Sequence, residues 1–292
     1  MSATIPGLLQ GYSQALYANW LWYRPFRVLF DAGEGVAPRL QNSVFGIRRI
    51  FLSHGHLDHL AGLPTIVNIR NSGMGDTEAP LEVYYPAGDP LVESMRAYLD
   101  VTNAWLGYEL SWHPLAVGQR VPLDENRTVE PFATRHVPGY LTFGYRILEA
   151  RRRLRPELQG WSQEAIREHV REVGREAISE AFEYPLFLYG GDGLPPDDDV
   201  LAGTELACLE ATFLARDDRG KPRHATVGEA IAAAQRAGVA TLVLYHLSGR
   251  YRPEEMRQAI RETVAELGYA GGVYLLWRER LQLLCGSRAT EA

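Results

Sequence analysis

Cysteine is scarce: Cys208 and Cys285 are the only two in 292 residues, and both lie in apolar segments that read as strands. Such thiols are ordinarily small core residues, so neither a disulfide framework nor a thiolate metal site is expected. Positive charge is not in surplus. Thirty Lys and Arg against 36 Asp and Glu leave a net charge of −6, which excludes nucleic-acid recognition by bulk charge. Long hydrophobic runs are missing. The longest nearly apolar stretch, Ala237 to Tyr245, falls far short of the roughly 18 to 20 residues of a membrane span. The N-terminus lacks a basic segment ahead of a hydrophobic one, and no repeat or low-complexity tract is found. A cytoplasmic protein with no membrane partner is the expectation.

Apolar residues make up 46% of the chain and charged ones 23%, enough for a substantial core. Short apolar runs bounded by polar or Gly and Pro residues recur at Val28–Phe30, Ile50–Leu52, Leu81–Tyr85, Leu186–Tyr189, Leu206–Leu209, Leu242–Tyr245 and Val273–Trp277, and read as buried strands. Helical spacing appears between them. Met256, Ile260, Val264 and Leu267 share one face of Pro253–Leu267, with Gly268 as a stop. Thr226 and Glu229 have the spacing of a capping box, and a further helix is predicted to open at Asp89 and Pro90. Strands mixed with helices predict a layered α/β architecture, taken as a single domain over 1–292. Residues 149–183 differ, with seven Arg against eight Glu. The stretch is basic only at Arg151, Arg152, Arg153 and Arg155, has a weak helical period from Ser162 to Phe182, and is read as a short charged insertion or arm.

The eight histidines are more informative. Directly after the Ile50–Leu52 run comes Ser53-His54-Gly55-His56-Leu57-Asp58-His59, four candidate ligands within six residues. On an extended turn His54 and His56 can approach one ion, while Asp58 and His59 point elsewhere and can serve a second. Imidazole and carboxylate donors without thiolate suit Zn2+, Mn2+ or Fe2+, with Zn2+ the default. Two such ions about 3.5 to 4 Å apart can share a water and lower its pKa toward neutrality, so hydrolysis is the default chemistry. No serine elbow, Walker loop or dinucleotide glycine pattern competes, and Asp31-Ala32-Gly33-Glu34-Gly35 has neither the Lys nor the spacing of a phosphate loop. His113 and His169 match no motif and are read as structural.

The His54–His59 run is the signature of the metallo-β-lactamase fold superfamily, and the chain resembles that family where further ligands belong: His136, Asp192 and His246, each beside an apolar run. The resemblance implies a four-layer αββα sandwich. It places His54, His56 and His136 on one divalent metal ion and Asp58, His59 and His246 on a second, with Asp192 bridging. Val28 to Gly35 further resembles the stretch ahead of the metal motif in ribonuclease Z. Phe143-Gly144-Tyr145-Arg146-Ile147, Glu210-Ala211-Thr212-Phe213, His224-Ala225-Thr226 and His246-Leu247-Ser248-Gly249-Arg250-Tyr251 are similar to segments of that family in the same order. The likeness spans roughly residues 11 to 252 and is nearest to the short form, which carries basic sequence before a turn like Leu154 to Gly160.

This resemblance implies an endonuclease that removes 3′ trailers from tRNA precursors, acts as a homodimer and has no DNA partner. Glu210 would orient His224, His224 would protonate the departing ribose oxygen, and Asp58 would accept a proton from the attacking water. Arg250 is read as either a phosphate contact or a salt-bridge partner. Departures from the family pattern are the missing Pro- and Asn-containing signature before Phe30, Gly193 in place of Thr, Ala225 in place of Ser, and the short, charge-balanced arm. The alternative is a hydrolase of the same fold acting on a small phosphodiester or ester, which the acidic balance would suit. A noncatalytic RNA-binding protein is set aside because all seven ligands are present.

Overall fold

The computed structural model describes residues 4–286. Six strands form the first sheet in chain order: β1 (Leu9–Gln14), β2 (Ala18–Tyr23), β3 (Val28–Phe30), β4 (Arg49–Phe51), β5 (Leu81–Pro86) and β6 (Leu110–Leu115). The first three pair antiparallel, and β3 to β6 run parallel. The second sheet holds β7 (Val121–Pro122), β8 (Arg127–Ala133), β9 (Phe143–Leu154), β10 (Ser179–Tyr189), β11 (Leu206–Glu210), β12 (Thr241–Tyr245), β13 (Gly272–Trp277) and β14 (Arg280–Cys285), again side by side in chain order. Nine helices accompany them among the described residues: α1 (Ile5–Leu8), α2 (Val36–Leu40), α3 (Leu57–Leu60), α4 (Leu63–Met74), α5 (Pro90–Thr102), α6 (Gln163–Val173), α7 (Asp198–Leu201), α8 (Val227–Arg236) and α9 (Pro253–Leu267). None is long and apolar enough to cross a membrane.

The two sheets meet across an aromatic-rich layer. Phe30 stacks on Phe187 at 5.3 Å, Phe51 on Tyr84 at 4.7 Å and Tyr189 on Tyr245 at 5.4 Å, all within one buried cluster. Each such ring removed from water is worth about 1.5–3 kcal/mol. Residues of α2, α4 and α5 cover the other face of the first sheet through Val36, Ile66, Val67, Val92 and Leu99. The other face of the second sheet packs on α8 and α9 through Ile231, Ala234, Met256 and Ile260. The result is the helix–sheet–sheet–helix sandwich expected.

Local signals explain the helix ends. Asp89 accepts from the amides of Leu91 and Val92 at the start of α5, and Thr226 and Glu229 form the reciprocal capping box of α8. Gly268, at φ 68, closes α9. Cys208 is buried in β11, Cys285 ends β14, and both are free.

The charged segment differs from its expected form. The predicted helix from Ser162 to Phe182 stops at Val173, because Gly174 turns the chain at φ 84 and the following residues enter a strand. β10 therefore begins at Ser179 rather than Leu186 and pairs with the outer end of β9, Leu154 opposite Ser179 and Arg153 opposite Glu180. The arm is a two-stranded ribbon tipped by α6. Its arginines are engaged: Arg153 pairs with Glu180 at 2.7 Å, Arg151 with Glu149 at 3.2 Å, Arg155 with Glu157 at 3.9 Å, and Arg152 donates to Ser179 Oγ at 2.9 Å. These contacts, of which Arg153–Glu180 is the ion pair between the two strands, engage the arginines that read in sequence as a basic patch.

Candidate metal centre

Five ends of strands converge on one edge of the sandwich. His54 and His56 follow β4, and Asp58 and His59 lie in the single turn of α3 just beyond. His136 follows β8, Asp192 follows β10, Glu210 ends β11, and His246 follows β12 in the left-handed conformation, φ 61. A hydrogen bond from Phe143 N to Ser53 O, 2.9 Å, fastens the two sheets beside them.

The seven candidate ligands predicted from sequence lie close together at this edge. His54 Nε2 lies 2.9 Å from His56 Nδ1, which lies 3.3 Å from His136 Nε2. On the other side, His246 Nε2 lies 3.4 Å from Asp58 Oδ2, and His59 Nε2 lies 3.7 Å from the same oxygen. Asp192 Oδ2 stands between the groups, 3.3 Å from His59 Nε2, 3.3 Å from His246 Nε2 and 4.0 Å from His136 Nε2.

The far nitrogens of these rings identify the tautomers. Asp31 Oδ2 lies 2.6 Å from His59 Nδ1, Ser53 Oγ 2.9 Å from His54 Nδ1, Thr212 Oγ1 2.9 Å from His246 Nδ1 and the Arg223 carbonyl 3.2 Å from His136 Nδ1. Ser53 and Thr212 hydroxyls donate onward to Asp31 and Glu210, so they can accept from the rings. His54, His136 and His246 thus carry their proton on Nδ1 and turn a lone pair on Nε2 inward, while His59 donates from Nδ1 to Asp31.

Electrostatics agree. Burial, then the charge on His59, holds His54 well below the usual imidazole range and lowers His56. Burial also lowers His136, against the pull of Asp192. Burial opposes ionisation of Asp58, yet His59 and His246 keep its carboxyl at about 2, and His246 and His59 hold Asp192 far below the carboxylate range. Despite its burial, His59 is driven well above its usual value by Asp192, Asp31 and Asp58. Asp58 and Asp192, with Asp31 behind His59, draw positive charge to one point, and His54, His56 and His136 around it are held neutral, an arrangement suited to a cation. Among the described residues the buried atoms His59 Nε2 and Asp192 Oδ1 have no hydrogen-bond partner, which fits ligation and costs free energy without it. The donor set is one that could hold divalent metal.

Glu210 and His224 form the second expected unit. Glu210 Oε1 lies 2.9 Å from His224 Nδ1 and accepts from Gly193 N at 3.0 Å, while Oε2 accepts from Thr212 N and Thr212 Oγ1 at 2.9 and 2.8 Å. Burial works against a charged His224, but the Glu210 hydrogen bond and charge raise its pKa to about 9. Its side chain keeps 25% of its exposure and lies 3.9 Å from Asp192 Oδ2. Gly193 is explained here. At φ +138 its amide reaches Glu210, and a Cβ would come 3.0 Å from the Arg135 carbonyl, so a larger residue would strain this turn.

The other predicted positions separate. Arg250 is exposed beyond β12, its guanidinium donating to the Asp218 carbonyl at 3.0 Å with no carboxylate partner among the described residues. His113 lies on β6 against Tyr84, and His169 lies on α6 near Trp161, both away from the centre. The sequence reading missed the supporting shell. Ser53 sits inside the metal motif and Asp31 and Thr212 inside segments singled out for resemblance, but their roles depend on contacts between distant strands.

This sandwich with its His and Asp edge places the chain in the beta-lactamase superfamily: the family model described as "Beta-lactamase superfamily domain" matches residues 26–173, just over half of the chain. The chain is 32% identical to ribonuclease Z of a Bradyrhizobium species over 79% of this chain and 83% of that protein. It is 29% identical to the chloroplastic tRNase Z TRZ2 of Arabidopsis thaliana over 80% of its own length, spanning 65% of the plant protein. Among solved structures, the metallo-beta-lactamase fold protein YhfI of Bacillus subtilis shares the fold at a TM-score of 0.63, with 16% identity over 94% of this chain and 98% of that one. Within the superfamily, the chain belongs to the ribonuclease Z family.

Proposed function

We propose that this chain is a metal-dependent endonuclease that cleaves the phosphodiester joining a tRNA to its 3′ trailer, leaving a 3′ hydroxyl on the tRNA and a 5′ phosphate on the trailer. The observation that carries this reading is the Glu210–His224 pair beside the metal cage. A ribose 3′ alkoxide is a poor leaving group, and an imidazole kept protonated at neutral pH is the acid it needs, worth about 10² to 10⁴ in rate. Family membership supports the substrate, since curated relatives carry the names ribonuclease Z and tRNase Z.

In this reading His54, His56 and His136 would hold one divalent ion and Asp58, His59 and His246 another, with Asp192 available to both, and Zn2+ would best suit these donors. When bound, such ions activate water and neutralise charge on the phosphoryl oxygens. The chain's own groups do the rest. Asp58, with its carboxyl at about 2, is a weak base. It accepts a hydrogen bond from the attacking water and orients it, and the proton passes on to solvent. As the water oxygen bonds to phosphorus and the bond to the 3′ oxygen breaks, His224 transfers its Nε2 proton to that oxygen. Glu210 holds the ring in place and stabilises its charge through Nδ1. Asp31, Ser53 and Thr212 keep the ligating rings in their tautomers. A homodimer and a cytoplasmic location accompany this reading.

Cleavage of a precursor tRNA bearing a 3′ trailer, by protein of measured metal content, tests it. Single-site cleavage with the stated ends, lost in His54→Ala, is the expected result. Two metals per chain with no cleavage would reject the RNA substrate and favour a small phosphodiester or ester.

A further inference from the structure

The loop from Phe213 to His224 is secured from within. Arg219 donates to both carboxylate oxygens of Glu229 at 2.7 Å and to the His224 carbonyl at 2.7 Å, and Arg216 reaches Glu229 at 3.2 Å. Asp218 accepts from Tyr251 OH at 2.7 Å and from Ala215 N at 3.2 Å. These contacts occupy Glu229 and Asp218 and hold the loop at the mouth of the metal cage, where the Arg223 carbonyl meets His136.

Other charges on the loop are left facing water. Lys221, the only lysine in the chain, and Arg223 are exposed, and among the described residues neither has a carboxylate partner. Arg250 meets the same loop, 5.1 Å from the centre of the Phe213 ring and 3.0 Å from the Asp218 carbonyl. Against these three cations the loop offers one exposed carboxylate outside the internal pairs, Asp217. A local positive surplus on an acidic protein, built on a loop whose other charges are paired, suits an anionic polymer.

The same mouth exposes aromatic rings. Tyr17 is 64% exposed at the turn between β1 and β2, a turn tied to the His246 loop by Ala15 N donating to Leu247 O at 3.1 Å and His246 N donating to Ser13 Oγ at 2.7 Å. Tyr140 is 54% exposed in the loop that follows His136. Cations interleaved with exposed rings fit unpaired nucleotides, whose phosphates and base faces are both accessible.

Resting on the proposed nuclease reading, we infer that this rim grips unpaired RNA on the leaving-oxygen side of the scissile phosphate. Lys221 and Arg223 contact phosphates of the strand that carries the departing 3′ oxygen, since they share a loop with the proton donor His224. Tyr17 and Tyr140 are stacking platforms for its bases.

The test measures KM and kcat on a 3′-extended precursor RNA for wild type, the Lys221→Ala/Arg223→Ala double variant and the Tyr17→Ala/Tyr140→Ala double variant, over a range of salt. Metal content and melting temperature serve as folding controls. KM is expected to rise about tenfold or more in each, with kcat at saturation within about twofold. In the cation variant the slope of log KM against log salt should fall by about 0.7 for each phosphate that the protein no longer neutralises. An unchanged KM and salt slope in properly folded variants, with wild type still cleaving RNA, would overturn the rim alone. Wild-type protein that hydrolyses bis(p-nitrophenyl) phosphate but neither binds nor cuts the precursor would overturn the nuclease reading and the rim together.

Discussion

Asp31 Oδ2 lies 2.6 Å from His59 Nδ1, with both side chains fully buried. The same oxygen accepts from Tyr189 OH at 2.5 Å and Ser53 Oγ at 2.8 Å, and the other accepts from Ser53 N at 2.7 Å. Tyr189 OH in turn accepts from Asn19 Nδ2 at 2.6 Å. Hydrogen bonds running from β2 through β10 therefore fix the carboxylate that holds the His59 ring, independently of any ion. This carboxylate is a support for the metal cage rather than part of it.

Replacing Asp31 with Asn should weaken metal binding about 10- to 100-fold. The amide removes the negative charge behind His59 and places N–H groups where three donors converge. Competition with a chromophoric chelator would measure the loss, and circular dichroism would check that the fold survives. A folded variant with wild-type metal affinity would show that the contact does not tune the site.

Glu210→Gln should move the alkaline limb of activity to lower pH. The raised His224 pKa, about 9, means that its proton is present at neutrality and lost as pH rises through that value. Without the Glu210 charge, burial dominates and the proton leaves earlier. The variant should keep its metals, since Glu210 is outside the predicted ligand set, but lose rate most steeply at mildly alkaline pH. The pH dependence of kcat gives the answer, and a limb unmoved from wild type would remove His224 from the acid role.

Stripping metal should lower thermal stability. A ligand that binds only the folded state at 100 times its dissociation constant adds about 2.7 kcal/mol per site. Chelator should therefore depress the melting temperature and restored Zn2+ should raise it. Loading should weaken on acidification, because His54, His56 and His136 must be neutral to ligate. Scanning calorimetry with and without chelator would show this, and a melting temperature indifferent to both would count against a metal cage.

The sequence predicted the metal cage more fully than its supports. Four candidate ligands share one stretch that donor chemistry picks out, whereas His136, Asp192 and His246, each beside an apolar run, are singled out only by the family resemblance. The supports are hidden because Asp31, Tyr189 and Asn19 are joined only by strand order. Gly33 is a similar case. It is visible as part of a motif, but its reason is steric: a Cβ there would lie 2.2 Å from the Asp58 carbonyl and 2.6 Å from Asn19 N, which only packing of β2 beside α3 reveals. The arm departs from its expected helix for a comparable reason. Gly174 ends α6, and from Ser179 the chain enters a ladder with the outer end of β9, where Arg153 stands opposite Glu180, a partner distant in sequence.

That ladder suggests how the arm can be shortened. Leu154 and Ser179 are register partners at the end of the ribbon, so residues 155–178 leave and return at one point. The contacts there are local: Arg155 N donates to Ile178 O at 3.0 Å, and Leu158 and Ile178 are buried. We expect that replacing 155–178 with an Asn-Gly turn, whose conformation suits a two-residue hairpin, preserves the rest of the sandwich. The ribbon below retains the Arg153–Glu180 pair and, nearer the sheet, the ion pairs of Arg120 with Glu183 and Glu130. The shortened protein should bind metal with wild-type stoichiometry and melt within a few degrees of wild type, as read by metal analysis and calorimetry. Aggregation or loss of the metal on trimming would show instead that α6 and its flanking turns are integral to the sandwich.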